Sequence, residues 1–356
     1  MKFVHIADMH FDTPFRSLSA KENLGEIRRL EQRKIFKKVI DFVKENNIAY
    51  LFIAGDLYEH EYVKKSTIEY INSMFKEVPN TKIFISPGNH DPYIKNSYYK
   101  NYNWAENVYI FKSKIEKYED ENVNIYGIAF TEFYMEESPL NKFALDFSTK
   151  PNILVGHMDL NGSKDEEGFS YSPILESRLN SIGFDYVAMG HIHKNNIENT
   201  NRNYYPGSTI SLGFDEIGEH GMIIGEISKD SFQKQFIPLD NRVFTEIVLN
   251  VENLSSREEL IEYISDLELK DNYMYKLILI GKRNFEINIR EILKVVSREN
   301  ILKIKDMTKI NYNLDEIAKE NNLRGIFIRE VLKKLETGEY SEKEIEKAIE
   351  IGLETM

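Results

Sequence analysis

The amino-acid sequence predicts an α/β protein, and two features of the chain lead to this prediction. Short apolar runs rich in β-branched and aromatic residues alternate with segments of helical periodicity, which is typical of buried strands covered by helices on both sides. Each run also ends in polar residues, and α/β sheets place their ligand sites at the carboxyl ends of strands. The predicted strands are Phe3 to Ala7, Tyr50 to Ala54, Ile83 to Ser86, Ile153 to Val155 and Tyr186 to Met189.

Length and composition limit the classes of protein that the chain can represent. Its 356 residues are too many for one ordinary core, so we expect at least two domains. The chain has no cysteine, which excludes disulfides and thiolate metal sites and fits a cytoplasmic protein. There is no apolar run of about 18 residues, so we expect no membrane segment. The net charge of −12 argues against a surface coated for nucleic-acid binding.

A basic cluster lies on a predicted helix whose apolar positions recur at helical spacing. Phosphate contacts need clustered Lys and Arg, so a cluster of this kind could bind nucleic acid even in an acidic chain. We interpret it instead as the solvent-exposed face of the helix. Its members are Arg28, Arg29, Arg33, Lys34, Lys37 and Lys38.

The pattern changes after about Leu239, and we expect three domains: residues 1–239, 240–312 and 313–356. The middle segment reads as a small α/β unit, with a helix that begins at a capping box formed by Ser256 and Glu259. It contains no histidine, so we expect it to cap a site that it does not build. The last segment reads as amphipathic helices, which either fold back on the body or bind the apolar groove of a partner.

Five polar clusters close the predicted strands of the first domain. Alternate residues of a strand point the same way, so an Asp-x-His or a His-x-His can present two ligands to one point. Any one cluster is compatible with a surface turn, but their joint occurrence predicts a single metal site with imidazole, carboxylate and amide ligands. The clusters are Asp8-Met9-His10, Gly55-Asp56, Gly88-Asn89-His90-Asp91, Gly156-His157 and Gly190-His191-Ile192-His193.

Taken in order, these motifs resemble those of the calcineurin-like metallophosphoesterase superfamily. Within it, the chain is most similar to the DNA double-strand-break repair nuclease subunit of the meiotic recombination eleven and SbcD type. The motifs extend over about residues 1–240. The resemblance implies a metallophosphoesterase β-sandwich flanked by helices, followed by a small α/β capping domain and C-terminal helices.

The resemblance also implies two divalent metal ions and a catalytic histidine. His90 is implied to stay free of metal and to face the substrate, as a proton donor or as a stabiliser of developing charge. Nitrogen and oxygen ligands suit manganese, iron or zinc, and the resemblance favours manganese. Glu59 departs from the pattern, because some members carry a histidine there. The implied ligands are Asp8, His10 and His193 for one ion and Asn89, His157 and His191 for the other, with Asp56 bridging.

The activity implied by the resemblance is that of a metal-dependent DNA exonuclease, with endonuclease activity left open. The implied partners are DNA, an SMC-like coiled-coil ATPase that binds the helices from Asn313 onward, and a second copy of the chain. The homodimer contact would involve the segments 68–75 and 93–104.

Two other functions stay open from the sequence. One is a metallophosphoesterase that acts on phosphoproteins, cyclic nucleotides or nucleotide substrates; Asp91 speaks against a protein phosphatase, since phosphatases of the superfamily carry glutamate there. The other is a scaffold without catalysis, which would be expected to lack a ligand or the His90 equivalent. The chain lacks neither.

Overall fold

The predicted buried strands lie in two sheets of the first part of the chain. The computed structural model of the protein describes residues 1–15, 23–162, 164 and 167–355, so residue 356 of the predicted helical segment lies outside the described residues. The chain divides into two compact units. The first comprises Met1–Thr245 and Lys270–Tyr275, and the second comprises Glu246–Leu269 and Lys276–Met356. None of the helices in the described ranges has the length and apolar character that crossing a membrane requires.

The elements up to residue 238 all belong to the first unit. In chain order they are β1 (Lys2–Ile6), α1 (Leu24–Glu45), β2 (Tyr50–Ile53), α2 (Lys65–Lys76), β3 (Lys82–Ile85), α3 (Tyr98–Asn101), β4 (Val108–Ile110), β5 (Glu116–Glu119), β6 (Asn124–Ile128), β7 (Asn152–His157), α4 (Glu176–Ile182), β8 (Tyr186–Gly190), β9 (Asn203–Tyr204), β10 (Gly221–Ile227) and β11 (Phe232–Pro238).

Two sheets of this unit pack face to face, and helices cover their outer faces. One sheet has the order β11-β10-β1-β2-β3-β4 and the other the order β5-β6-β7-β8-β9. Side chains of both sheets, among them Phe52, Phe84, Val155 and Tyr186, share one buried cluster. A second cluster joins α1 and α2 to the first sheet, and a third joins α4 to the second sheet. The predicted α/β class with a helix-flanked sandwich is therefore confirmed.

The remaining elements follow residue 242. They are β12 (Val243–Asn250), α5 (Arg257–Ser265), β13 (Tyr273–Ile280), β14 (Lys282–Arg283), α6 (Ile289–Val296), β15 (Ile301–Asp306), β16 (Lys309–Ile310), α7 (Leu314–Ile317), α8 (Leu323–Glu336) and α9 (Glu342–Thr355). β12, β13 and β15 form a sheet. One half of the predicted capping box is present, because the Glu259 amide donates to the Ser256 hydroxyl over 3.2 Å. The Glu259 carboxylate accepts from the amide of Ser255, over 2.7 Å, in place of that of Ser256. The boundaries at 239/240 and 312/313 stay predictions.

Arg28 corrects the interpretation of the basic cluster on α1. Its side chain is fully buried rather than solvated. The guanidinium donates to Asp240 over 2.7 and 3.2 Å and to the backbone carbonyl of Ser211 over 2.7 Å. Asp240 also accepts a bond from the Ser211 amide over 2.9 Å. Arg28 thus ties the helix to two segments that are distant in the sequence.

We expect the substitution Arg28→Ala to lower the free energy of unfolding by about 3–5 kcal/mol, because it leaves the carboxylate of Asp240 buried without its cation. Urea denaturation followed by circular dichroism measures this change. Lys34→Ala, on the exposed face of the same helix, is the matched control and is expected to stay within about 0.5 kcal/mol of the wild type. Equal stabilities of the two variants would contradict the assignment.

Candidate metal centre

The eight side chains that the sequence singled out follow or end strands of the first unit. β1, β2 and β3 run parallel in one sheet, as β7 and β8 do in the other, and the carboxyl ends of such strands form ligand sites. The structure brings all eight side chains to one rim of the sandwich. Asp8 and His10 follow β1, Asp56 follows β2, Asn89 and His90 follow β3, His157 ends β7, and His191 and His193 follow β8.

The backbone at this rim adopts conformations that residues other than glycine rarely take. The φ angles are 51° at Asp8, 47° at His10, 51° at Asp56 and 104° at His191. Each such conformation costs roughly 1–3 kcal/mol and persists only where the surroundings enforce it. Here the Asp8 amide donates to the Gly55 carbonyl over 3.1 Å and the His10 amide to the Asp56 carbonyl over 2.8 Å. The concentration of strain at predicted ligands indicates a preorganised site.

Asp8, His10 and His193 form a compact group of potential ligand atoms, which all lie within 4.8 Å of one another. The two Nε2 atoms of His10 and His193 are 3.2 Å apart, and His193 Nε2 is 3.9 Å from Asp8 Oδ1. Asp8 is fully buried and His10 nearly so. This is the group that the family resemblance implies for the first ion.

Asn89, His157 and Asp56 form the neighbouring group. His157 Nε2 lies 2.9 Å from Asn89 Oδ1 and 3.2 Å from Asp56 Oδ2, and the same Asp56 oxygen lies 3.6 Å from His10 Nε2. Asp56 therefore stands between the two groups, where a bridging carboxylate would be expected. The ring of His191 lies 5.2 Å from that of His157, centroid to centroid. The structure places all four predicted residues together, and their role as metal ligands stays a prediction.

Three of these imidazoles direct the Nε2 atom toward the site because Nδ1 is engaged elsewhere. The Nδ1 acceptors are the Ala54 carbonyl for His157 at 3.0 Å, Glu59 for His10 at 2.8 Å, and Glu216 for His193. With the proton on Nδ1, each neutral ring presents a lone pair on Nε2. When both rings are neutral, the lone pairs of His10 and His193 face each other across 3.2 Å, and either a proton on one ring or a metal cation between them removes this repulsion. The donor set therefore fits a metal ion.

Electrostatics sets the charge of the site when no metal is bound. Burial lowers the pKa of His157, but the carboxylates of Asp56 and Asp8 outweigh it and raise that pKa to about 9. Burial also lowers the pKa of His193, whereas Glu216 and Asp8 raise it, again to about 9. Both imidazoles therefore carry a second proton at neutral pH until a metal displaces it.

We expect metal affinity to rise with pH between about 7 and 9, because a ligating imidazole must lose its proton and the pKa values of His157 and His193 are raised to about 9. Each displaced proton adds up to about tenfold in apparent affinity per pH unit. Titration calorimetry in buffers of different ionisation enthalpy measures both the affinity and the protons released. An affinity independent of pH over this interval would contradict the predicted protonation.

His90 differs from its neighbours in exposure. Its side chain is 46% exposed, whereas His10 and His157 are at most 3% exposed. Its Nδ1 donates to Glu59 Oε2 over 2.9 Å. His90 also lies close enough to His10 and Asp56 to form a potential ligand group with them. The predicted role of His90, facing the substrate without binding metal, agrees with its exposure and stays a prediction.

Two carboxylates support the site in ways that the sequence did not reveal. Glu59 accepts from His10 through one oxygen and from His90 through the other, so one side chain orients a predicted ligand and the predicted catalytic residue. Burial raises the pKa of Glu59, but bonds to both histidines lower it to about 2. Glu216 orients His193 in the same way. Glu59 was visible in the sequence only as a departure from a family pattern, and Glu216 gave no motif.

Asp91 holds the turn that carries Asn89 and His90. Its buried carboxylate accepts bonds from the amides of Asp56, Leu57 and Gly88 over 3.1, 2.6 and 2.6 Å. It also accepts from the Tyr99 hydroxyl over 2.6 Å. Asp91 therefore joins the loop after β2 to the loop after β3. This explains why a carboxylate follows the asparagine and histidine in the sequence.

The sequence pattern of the family described as calcineurin-like phosphoesterase matches residues 1–195. The uncharacterized metallophosphoesterase YhaO of Bacillus subtilis (strain 168) is 22% identical over 280 residues, which cover 75% of this chain and 67% of that protein.

Two further relatives are named as the SbcD component of the nuclease SbcCD. The one from Staphylococcus epidermidis is 24% identical over 314 residues, covering 77% of this chain and 78% of its own. The one from Staphylococcus saprophyticus is 24% identical over 306 residues, covering 77% of each chain.

Proposed function

This chain belongs to the calcineurin-like phosphoesterase family, and from this premise we propose that it is a metal-dependent DNA phosphodiesterase of the SbcD type. We propose an exonuclease that acts in DNA repair, and endonuclease activity is left open. The observation that carries the proposal is the convergence of the seven predicted ligands and His90 at one rim of the sandwich.

The relatives favour DNA over other phosphoesters. Both SbcD proteins align with 77% of this chain, whereas the family pattern matches 195 of its 356 residues. Their similarity therefore includes residues beyond the metal centre. The names of these two relatives support a nuclease, whereas YhaO, which aligns with 75% of this chain, is an uncharacterized metallophosphoesterase.

The residues present fit two divalent ions, for which we favour manganese. Asp56 would bridge the two ions, since its Oδ2 atom lies near imidazoles of both groups. When bound, such a pair of ions supplies an activated water and neutralises the charge of the phosphate. Asp8, His10 and His193 would hold one ion, and Asn89, His157 and His191 the other.

His90 is the group that we assign to proton transfer. In the absence of metal, burial lowers the pKa of His90, but Asp56 and Glu59 raise it to about 10. Glu59, which is not a predicted ligand, would continue to favour the protonated ring when Asp56 binds metal. The Nδ1–H group of His90 is held by Glu59, which leaves the Nε2–H group to face a bound substrate. His90 would donate this proton to the departing oxygen or stabilise the charge that develops there.

The C-terminal helices are the proposed contact with an SMC-like coiled-coil ATPase. The inner faces of α7, α8 and α9 share a cluster that includes Ile328, Val331 and Ile349. Leu323 and Ile326 on α8 are 67% and 52% exposed, which leaves apolar surface for a partner. Deleting residues 313–356 should abolish co-purification with the ATPase, and retained binding would refute the contact.

A homodimer is the second proposed assembly. In the segments that we assign to it, Ile68, Phe75 and Tyr99 are buried in the core of the same chain, and Trp104 packs against that core. The proposed contact must therefore use the remaining exposed edges of these segments. Light scattering of the purified protein is expected to give the mass of a dimer, and a monomer mass at micromolar concentration would contradict it.

DNA cleavage by the purified full-length protein tests the proposed function. With Mn²⁺ present, we expect linear duplex or single-stranded DNA to be degraded, and EDTA to stop the reaction. A panel of phosphopeptides, cyclic nucleotides and small phosphodiesters assayed in parallel separates this function from other activities of the family. Absence of DNA cleavage with several divalent metals and with the ATPase partner added would reject the proposal.

A further inference from the structure

A group of exposed and half-buried aromatic rings lies next to the metal centre and takes no part in it. The rings of Tyr134 and Phe169 stack at 4.7 Å between centroids, with 24° between their planes. The ring of Tyr171 lies 5.0 Å from that of the predicted ligand His191. Together with His60 and Phe133, whose contact is described below, these rings form a group that we call the aromatic ledge. Its members are His60, Phe133, Tyr134, Phe169 and Tyr171.

The other end of the aromatic ledge lies beside the predicted catalytic residue. His60 contacts Phe133, with ring centroids 5.9 Å apart. The amide of His60 donates to the carbonyl of His90 over 2.9 Å. The aromatic ledge therefore borders both His90 and His191. Phe133 and Tyr134 are 46% and 42% exposed, so their ring faces are accessible to a ligand.

Backbone hydrogen bonds hold the aromatic ledge in place. The Met135 amide donates to the Ser170 carbonyl over 2.9 Å, and the Ser172 amide donates to the Met135 carbonyl over 2.8 Å. Met135 and Ser172 are buried. The backbone segments that carry the exposed rings are therefore fixed in place. Rings held in this way lose little conformational entropy when a ligand stacks on them.

The charge around the aromatic ledge indicates which part of a nucleotide would lie on it. Glu132 and Glu137 are exposed in the same segment, and carboxylates repel the phosphates of a nucleic acid; Glu136 is paired with Lys164 over 3.4 Å. Aromatic faces, in contrast, stack with any base. If the scissile phosphodiester is held at the metal centre, the bases of the adjoining nucleotides lie beside it. The rings can receive those bases only if they are not already stacked in a duplex.

On the basis of the proposed function, we propose that the aromatic ledge is a subsite that stacks unpaired bases of the bound DNA next to the scissile phosphodiester. The ledge supplies base contacts and no phosphate contacts. Its contribution to binding therefore depends on the presence of bases and varies little with salt concentration.

Fluorescence anisotropy of labelled oligonucleotides tests the proposal on the full-length protein in Mn²⁺, with phosphorothioate linkages in both probes so that cleavage is slowed while the metal centre can still hold a phosphate group. The probes are a short oligothymidylate and an abasic oligonucleotide of the same length and charge. We expect the wild type to bind the base-bearing strand more tightly, by on the order of tenfold for each stacked base, and this preference to persist when salt is added.

Substitutions test whether the aromatic ledge causes the preference for the base-bearing strand. Phe133→Ala combined with Tyr134→Ala is expected to remove most of the preference for the base-bearing strand. Both rings are lost, while the buried residues beneath the aromatic ledge stay unchanged. Phe147→Ala is the matched control, since Phe147 is 95% exposed and is not part of the ledge. This control is expected to keep the full preference for the base-bearing strand.

The result that overturns the proposal is equal affinity of the wild type for the two probes. A preference that survives in the double variant, or that Phe147→Ala removes equally, overturns it as well. Failure of the proposed function gives a different outcome: base-dependent binding at the ledge without DNA cleavage in Mn²⁺ would refute the nuclease and leave the stacking surface in place. Cleavage without any preference for bases would refute the ledge alone.

Discussion

Replacement of His90 by alanine is expected to reduce DNA cleavage by about 10²- to 10⁴-fold while leaving the metal content of the protein unchanged. The loss follows from removal of the proton donor that Glu59 orients, since a positioned general acid contributes this much to the rate. The metal content should persist because the predicted ligands do not include His90. Steady-state cleavage of linear DNA in Mn²⁺ and elemental analysis of the dialysed protein measure the two quantities.

Chemical rescue provides the control for the His90→Ala variant. Imidazole added to the assay is expected to restore part of the rate, because it can supply the missing proton from solution. Substantial loss of bound metal in the variant would contradict the assignment. In that case His90 would be a ligand together with His10 and Asp56, an arrangement that their proximity permits.

The substitution Asp56→Asn is expected to abolish both metal binding and cleavage. Burial raises the pKa of Asp56, but His157 and His90 outweigh it and hold that pKa well below the usual range, so the residue is a carboxylate at every pH of interest. Asparagine preserves the shape but supplies no negative charge to bridge two cations. We expect metal affinity to fall by more than about 100-fold, beyond the loss typical of changes in outer-shell residues.

Elemental analysis and calorimetric titration with Mn²⁺ measure the effect of Asp56→Asn. Asp230→Asn is the matched control, because Asp230 lies in the turn between β10 and β11 at the surface. It is expected to retain the metal and the activity of the wild type. Full metal content in Asp56→Asn would show that the carboxylate does not link the two predicted ligand groups. It would contradict the proposed two-ion arrangement.

Local pattern predicted the elements whose burial is uniform along the chain. Strands β1, β2, β3, β7 and β8 consist mostly of apolar residues. Such runs can be recognised in a sequence because both faces of the strand are covered. The strands β4, β5, β6, β9, β10, β11, β14 and β16 were not predicted. β6 is an exception among the buried strands, because Asn124 and Gly127 interrupt its apolar run. β11, in contrast, alternates exposed and half-buried residues at one edge of its sheet, so its strand character depends on pairing with β10 more than on its own composition.

The sequence predicted which residues at the strand ends form the candidate site, but not the hydrogen bonds that support them. Residues at the ends of predicted strands could be grouped from the sequence because parallel strands bring their carboxyl ends together. The hydrogen bonds of Glu59 to two histidines could not be predicted in this way, nor could the contact of Glu216 with His193. A single glutamate has no pattern of its own, and its partner is fixed only when loops from different strands meet.

The sequence by itself determined the α/β class, the residue types available for a metal and the strand ends on which they stand, because these depend on composition and on spacing along the chain. Only the tertiary structure decided that Arg28 is buried against Asp240, 212 residues away, that Glu59 joins His10 to His90, and that aromatic rings border the site. The physical reason is that burial and hydrogen bonding act between neighbours in space. Contacts between residues that are distant in the sequence do not affect the local periodicity of the chain.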